Sequence, residues 1–494
     1  MNAPSYFENI RKATEKRWRQ LEDDPELAAP WHQLFKQVQS PRHVVSELLQ
    51  NADDAGAKEA TIRISGDTFS FEHRGSDFNE KNFASLCGFG RSNKRSLHTI
   101  GFRGIGFKST FSLGNSVFLS TPSLSVVFTK DRFTLPSWVK RDTGCDCTQI
   151  SVRLVDQLRR SELEKNLAEW LKSPVSLLFF KNIRKLTIGD QTVGWTLKKS
   201  GPCSGSNWMS RLDRPDVEVL RIESALEAFP EEAINEIRDE RLLLSSEEFD
   251  FPPCSVEIVI GTEGRLFVVL PTGVHTPLPF ACNAPFIQDP ARLKIKDPST
   301  SPTNRWLLER IGKLAARGMT EWLGNESAPE SSRVQAYDLL PAINEEDDTL
   351  EASVTEIVTD QLVSSIENAP ILLTSAGKLE TAERCIALPG IVLDIWPANC
   401  ATDLLGVPGR SPLSANIADT NRKKLISWGF CQQVEKDVVL RALEEKHVPK
   451  PASWAKLQSL WSYIAPDLTG YWSRYKADGL HIVPVQGQEV LYSA

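Results

Sequence analysis

The sequence predicts an α+β protein of two to four domains, and three observations carry that expectation. A chain of 494 residues is longer than one hydrophobic core usually serves. Residues 42–55 repeat apolar side chains at helical spacing and are followed at once by two short alternating runs that read as a hairpin. From about residue 160, helix-like and strand-like segments alternate again in what reads as a second unit.

In chain order, residues 7–38 carry an apolar stripe (Phe7, Ile10, Trp18, Leu21, then Trp31, Leu34, Phe35, Val38) that reads as two helices broken near Asp24-Pro25. Pro41 opens the next helix, 42–55, where proline is tolerated; Val44, Val45, Leu48, Leu49 and Ala52 recur at helical spacing and Gly56 ends it. The runs ATIRI (60–64) and TFSFE (68–72), joined by Ser65-Gly66-Asp67, form the hairpin. Residues 78–87 read as helix, and 88–108, rich in Gly, Ser, Arg and Lys, as a long loop of the functional kind. Strands follow at 116–121, 124–129 and 149–154.

The second unit opens with a helix (161–172) and the strands SLLFF (176–180) and KLTI (185–188). Charged helix and loop occupy 200–250, and a strand pair, 255–260 and 265–271, turns around Gly261-Thr262-Glu263-Gly264. The run LPFACNAPF (278–286), a basic loop (288–303) and a helix from Arg305 to Leu323 complete it. Residues 324–333 read as a linker, and 334–494 as a mixed, mostly helical region without a chemical motif.

Composition narrows the function classes. Hydrophobic residues at 41% and charged ones at 24% are ordinary for a globular chain, and a net charge of −7 argues against a protein whose whole surface grips nucleic acid. No run approaches the roughly 20 apolar residues of a membrane span, and the first residues lack a signal peptide's apolar core. The nine cysteines are scattered, with only Cys145 and Cys147 close together, which predicts buried thiols in a reducing cytoplasm rather than a zinc site.

Two segments carry chemistry. On the 42–55 helix, Glu47, Asn51 and Asp54 stand at i, i+4 and i+7 and share one face, beside an apolar one. A solvated face accounts for that pattern as well as a magnesium–nucleotide site does; in the latter Asn51 would offer an amide oxygen to Mg²⁺ and Glu47 would act as general base. The run Gly101-Phe-Arg-Gly104-Ile105-Gly106-Phe107-Lys108-Ser109 has glycines spaced to let backbone N–H groups approach phosphates, with Lys108 adding charge. It has neither Walker spacing nor a surrounding βαβ unit. Between the two lie Phe71-Glu-His73-Arg-Gly75-Ser-Asp77-Phe78 and Ser92-Asn-Lys94.

In this order the motifs resemble those of the Bergerat-fold (GHKL) ATPases, the superfamily of the ninety-kilodalton heat-shock chaperones, gyrase B subunits and MutL-type ATPases. Within it, ELLQNADDAGA followed by FGRSNKRSLHTIGFRGIGFKSTF resembles sacsin and its prokaryotic relatives. The resemblance implies an ATP-binding α/β sandwich over 1–160 with a lid over about 79–108, a transducer-like α/β middle domain over 161–323, and an output region over 334–494. It implies ATP and Mg²⁺ as cofactors, Glu47 as base, Asn51 as metal ligand, and Asp54 behind the nucleotide. Gly101, Gly104, Ile105, Gly106, Phe107, Lys108 and Ser109 would form the phosphate loop, Lys94 would lie in the lid, and Thr148 would reach adenine through water. Arg292, in the loop before the Arg305 helix, would reach the γ-phosphate.

One departure matters. The family's adenine-binding aspartate, in a DxGxG pattern, is His73 here; Gly75 is kept, and the second glycine is Asp77. A neutral imidazole nitrogen is able to accept a hydrogen bond, but charge and reach differ. The expected function is a slow Mg²⁺-dependent ATPase switch with a protein partner or a second copy of itself, in a chaperone-like or defence setting. Direct nucleic-acid contact is left open. The alternative is a scaffold that binds ATP with little hydrolysis.

Overall fold

A computed structural model describes residues 2–24, 26, 41–88, 106–140, 145–241, 250–289, 293–343, 347–407, 409–468 and 477–493. Helices and strands are both abundant, as the α+β expectation requires. The chain forms two compact units: Met1–Gly201 with Asn207–His275 and Ala281–Leu307, and Pro202–Ser206 with Thr276–Phe280 and Leu308–Ala494.

In the first unit, helix α1 (Phe7–Asp23) buries Phe7 and Trp18, and the Trp18 indole N–H donates to Thr134 Oγ1 at 2.8 Å. Helix α2 (Pro41–Asp54) buries Val44, Val45, Leu48, Leu49 and Ala52 completely. Burial of each of the larger aliphatic side chains favours folding by about 1.5–3 kcal/mol. Gly56, at φ 78°, ends α2 in a Schellman arrangement: Gly56 N–H donates to Asp53 O at 2.9 Å and Ala57 N–H to Ala52 O at 3.0 Å. The hairpin follows as β1 (Glu59–Ser65) and β2 (Thr68–His73), in register from Ala60–His73 to Ser65–Thr68. A short helix, α3 (Glu80–Leu86), is capped by Asn79, whose side chain accepts from Asn82 N–H at 2.8 Å.

Strands β3 (Ser116–Ser120), β4 (Ser125–Thr129), β5 (Ser137–Trp138) and β6 (Thr148–Arg153) extend the sheet, with β6 between β2 and β3. Helix α4 (Gln157–Lys172) starts at an Asp156 cap, so residue 160 falls inside it. Strand β7 (Lys185–Ile188) lies parallel beside β1, and β8 (Gln191–Ser200) continues the same sheet outward. One apolar core, from Phe7 to Ala281, backs it.

Four local expectations are corrected. The apolar run 176–180 is no strand; Val175–Leu178 is a buried 3-10 turn after Pro174, whose carbonyl accepts from the Trp195 indole at 2.9 Å. Residues 200–250 hold two strands, β9 (Ser206–Arg211) and β10 (Glu218–Glu223), before helix α5 (Glu231–Glu240). Strands β11 (Glu257–Ile260) and β12 (Arg265–Val268) do not pair with each other, because β14 (Phe280–Asn283), buried at every position, lies between them. Strand β12 instead turns tightly into β13 (Leu270–His275) at Val269, whose φ is 61°. A β-branched residue is strained there; Asn283 Oδ1 holds the turn by accepting Val269 N–H at 2.7 Å.

The fourth correction concerns 324–333. Helix α6 (Pro302–Gly324) is followed by α7 (Glu330–Arg333), and Arg333 is buried, donating to Leu323 O at 2.7 Å and Gly377 O at 2.9 Å. Carbonyl groups that need donors make this stretch part of the second unit's packing rather than a free linker. That unit continues with α8 (Leu350–Ile366), α9 (Gly390–Ile395), α10 (Ala398–Leu404), α11 (Asp419–Ser427), α12 (Lys436–Glu445) and α13 (Trp454–Leu468), joined by two-residue strands. Among the described residues, no helix is long and apolar enough to cross a membrane.

Candidate nucleotide site

Helix α2 presents the predicted side chains in a line. Glu47 and Asn51 are half-buried and Asp54 is exposed, opposite the buried apolar stripe. The 3-10 turn Gly106–Ser112 packs along the same helix. The turn after β2 is clipped to the helix end, with Ser76 N–H donating to Ala55 O at 2.7 Å. Gly75 is required there, since a Cβ at that position would stand 2.7 Å from Ala55 O and 2.8 Å from Ala55 Cβ. The structure therefore brings together three segments that are distant in sequence: the Glu47–Asn51 helix, the His73–Ser76 turn and the start of the Phe107–Ser109 segment.

His73 is 7% exposed and ends the inward row Phe69, Phe71, His73 of β2. Burial pushes its imidazole down from 6.5 to about 4, so it is neutral at pH 7. Its Nδ1 is already committed, accepting Gly75 N–H at 3.2 Å, as an aspartate would in an Asx turn. A neutral ring whose Nδ1 accepts carries its proton on Nε2. The acceptor role expected for His73 toward adenine is thus used up inside the turn, and the ring offers a donor. Directly opposite His73 on β6 stands Thr148, buried, with an Oγ1 that has no hydrogen-bond partner among the described residues. A buried orphan hydroxyl is costly, and it sits beside the histidine.

Lys108 and Ser109 point inward. Lys108 is 4% exposed, its ammonium donates to Gly88 O at 2.7 Å, and burial lowers its pKa to about 8. It ties together the two ends that flank residues 89–105. Phe107 packs edge-on against Phe128 and Ser109 is fully buried. Lys94, Gly101, Gly104, Ile105 and Arg292 lie outside the described residues.

One structural residue was not singled out from sequence. Asp53 is 8% exposed, and its carboxylate accepts the backbone N–H groups of Lys181 (3.1 Å), Asn182 (2.6 Å) and Ile183 (2.8 Å). It pins α2 to the segment that feeds β7. The signal was present: Val45, Leu49 and Asp53 repeat at i+4, which puts an acid on the apolar stripe. A cavity of about 650 Å³ adjoins Asp53, lined also by Phe179, Glu257, Val268, Asn283 and Phe286; Glu47, Asn51 and His73 do not line it. Its lining mixes apolar side chains with Lys181, Arg241, Glu240 and Asp289, and its buried acid Glu257 is paired with Arg221 at 2.7 Å.

No protein-family model matches the chain, and no curated protein matches it.

Proposed function

We propose that the first unit binds a Mg²⁺–nucleoside triphosphate on α2 and hydrolyses it slowly, as a switch. The resemblance to sacsin-like Bergerat ATPases implies ATP. The observation that supports the reading best is the Ser76–Ala55 clip, which holds the His73 turn against the end of the helix that presents Glu47 and Asn51. A lone amide oxygen at Asn51 fits Mg²⁺, a hard cation that takes one or two protein oxygens and completes its shell with phosphate and water. The bound ion would neutralise charge on the phosphates. Glu47 would accept a proton from the water that attacks the γ-phosphorus: the P–O bond to the water forms, the β–γ bridging bond breaks, and the diphosphate leaves.

The nucleotide's presence or loss would bias the segments packed on α2, which is how such sites turn hydrolysis into a change of shape. A cytoplasmic setting and a protein partner or second copy belong to the same proposal, as do a chaperone-like or defence role and a contribution from Arg292. The inward-turned Lys108, spent on Gly88 O, favours a second reading: a sensor that binds nucleotide with little turnover.

The test is steady-state and single-turnover hydrolysis of Mg²⁺–ATP and Mg²⁺–ITP by wild type and Glu47→Ala. Hydrolysis by wild type, with a loss of at least ~100-fold in Glu47→Ala at retained binding, supports the switch. Binding without turnover in wild type selects the sensor.

A further inference from the structure

The cavity of about 650 Å³ lies at Asp53, on the buried stripe of α2, and neither Glu47 nor Asn51 lines it. All of its lining residues belong to the first unit. It has room for about twenty water-sized groups, which is the scale of a small-molecule site. Backbone strain is concentrated at its wall. Val269 is the one non-glycine residue with positive φ among the described residues, and it lines the cavity together with Asn283, which holds its N–H. Strain of this kind persists where the surroundings over-determine it, and it clusters at ligand sites.

The charges of the lining decide what the cavity attracts. Its four carboxylates are already engaged within the protein. Asp53 accepts three backbone N–H groups, and Glu257 is held by Arg221 and by the Asn283 amide at 3.3 Å. Glu240 pairs with Lys296 at 3.1 Å, and Asp289 accepts the N–H groups of Leu293 and Lys294 at 2.8 and 3.1 Å. The cations of the lining are Lys181 and Arg241. The Lys181 ammonium has no ion pair among the described residues, and burial pushes the Arg241 guanidinium down to about 10. An anion in the cavity would offset that cost. Phe179, Ile237, Val268 and Phe286, all buried, supply an apolar wall.

We propose that this cavity binds an apolar carboxylate of medium chain length, with its head at Lys181 and Arg241 and its body against Phe179, Ile237, Val268 and Phe286. An alcohol of the same length would lose the charge-assisted hydrogen bonds, and an ammonium would meet like charges. Asp53 belongs both to the cavity wall and to the contact that pins α2 to residues 181–183. A ligand that binds only the pinned arrangement stabilises it by mass action, so the cavity would act as an effector site on the helix that carries Glu47 and Asn51.

The test is calorimetric titration of the full chain with decanoate, 1-decanol and decylammonium, which share a chain and differ in the head. Wild type should bind decanoate at one site, about tenfold or more tightly than the other two. Lys181 is exposed and Arg241 half-buried, so the double variant Lys181→Gln, Arg241→Gln keeps the core and should lose that preference. Decanoate at tenfold above its Kd should slow hydrogen exchange of the α2 amides about tenfold and leave the second unit's helices unchanged. No binding of decanoate, equal binding of decanoate and decanol, an unchanged preference in the double variant, or unchanged α2 exchange overturns the inference. None of these readouts involves a nucleotide, so each of those results leaves the proposed function standing.

Discussion

Replacing Asp53 by alanine tests the assembly of the site without reference to any ligand. The carboxylate receives three backbone N–H groups at 2.6–3.1 Å and is almost fully buried. A hydrogen bond to a charged group is worth about 1.5–3 kcal/mol net, so simple addition gives about 5–9 kcal/mol. That sum overshoots. Lys181 is exposed and Asn182 half-buried, so water replaces the carboxylate at those two amides, whereas Ile183 N–H is buried and would be orphaned. The orphan costs about 1–3 kcal/mol and the two hydrated amides about 1 kcal/mol together, giving about 3 kcal/mol. At 1.4 kcal/mol per decade this is roughly a hundredfold. Hydrogen exchange of the α2 amides should therefore speed up about a hundredfold in Asp53→Ala, with the second unit's helices unchanged. Asp53→Asn keeps one acceptor but turns an NH₂ toward a donor, so it should lie between. Exchange in α2 within fivefold of wild type for Asp53→Ala would refute the pinning role.

Two other predictions follow from the same region. Gly75→Ala forces a Cβ to within 2.7 Å of Ala55 O and should cost about 1–3 kcal/mol while loosening the Ser76–Ala55 clip; unchanged exchange at Ser76 would contradict it. His73 makes stability fall with acid. Above pH 6.5 the ring is neutral folded or unfolded and contributes nothing; between 6.5 and 4 the unfolded chain takes up a proton that the folded chain refuses. At pH 5 the loss is about 2 kcal/mol. Urea unfolding of the first unit at pH 7 and pH 5 should show that loss in wild type and not in His73→Asn, whose equal acid sensitivity would contradict the assignment.

Much of the first unit was legible because its signals are local. The helix of 42–55, its glycine stop and the 60–72 hairpin follow from spacing and turn chemistry, and the alternation in 116–154 marks β3, β4 and β6. What was hidden is non-local. The run 176–180 is apolar at every position, which a buried turn and a buried strand share. Strands β11 and β12 are neighbours in the chain but not in the sheet, because the fully buried β14 inserts between them. The line of Glu47, Asn51 and Asp54 was readable from helical periodicity. The state of His73 was not, because it depends on where Gly75 N–H points. Nor was the burial of Lys108, whose ammonium donates to Gly88 O, a contact between residues twenty positions apart.

The most direct measurement is triphosphate binding with and without Mg²⁺, by calorimetry, for wild type and Asn51→Ala. Saturable, Mg²⁺-enhanced binding of a purine triphosphate is expected of wild type, weakened by ~10-fold or more in Asn51→Ala, with the Mg²⁺ enhancement gone. Wild type that binds no purine triphosphate, or Asn51→Ala that keeps the full Mg²⁺ enhancement, would contradict it.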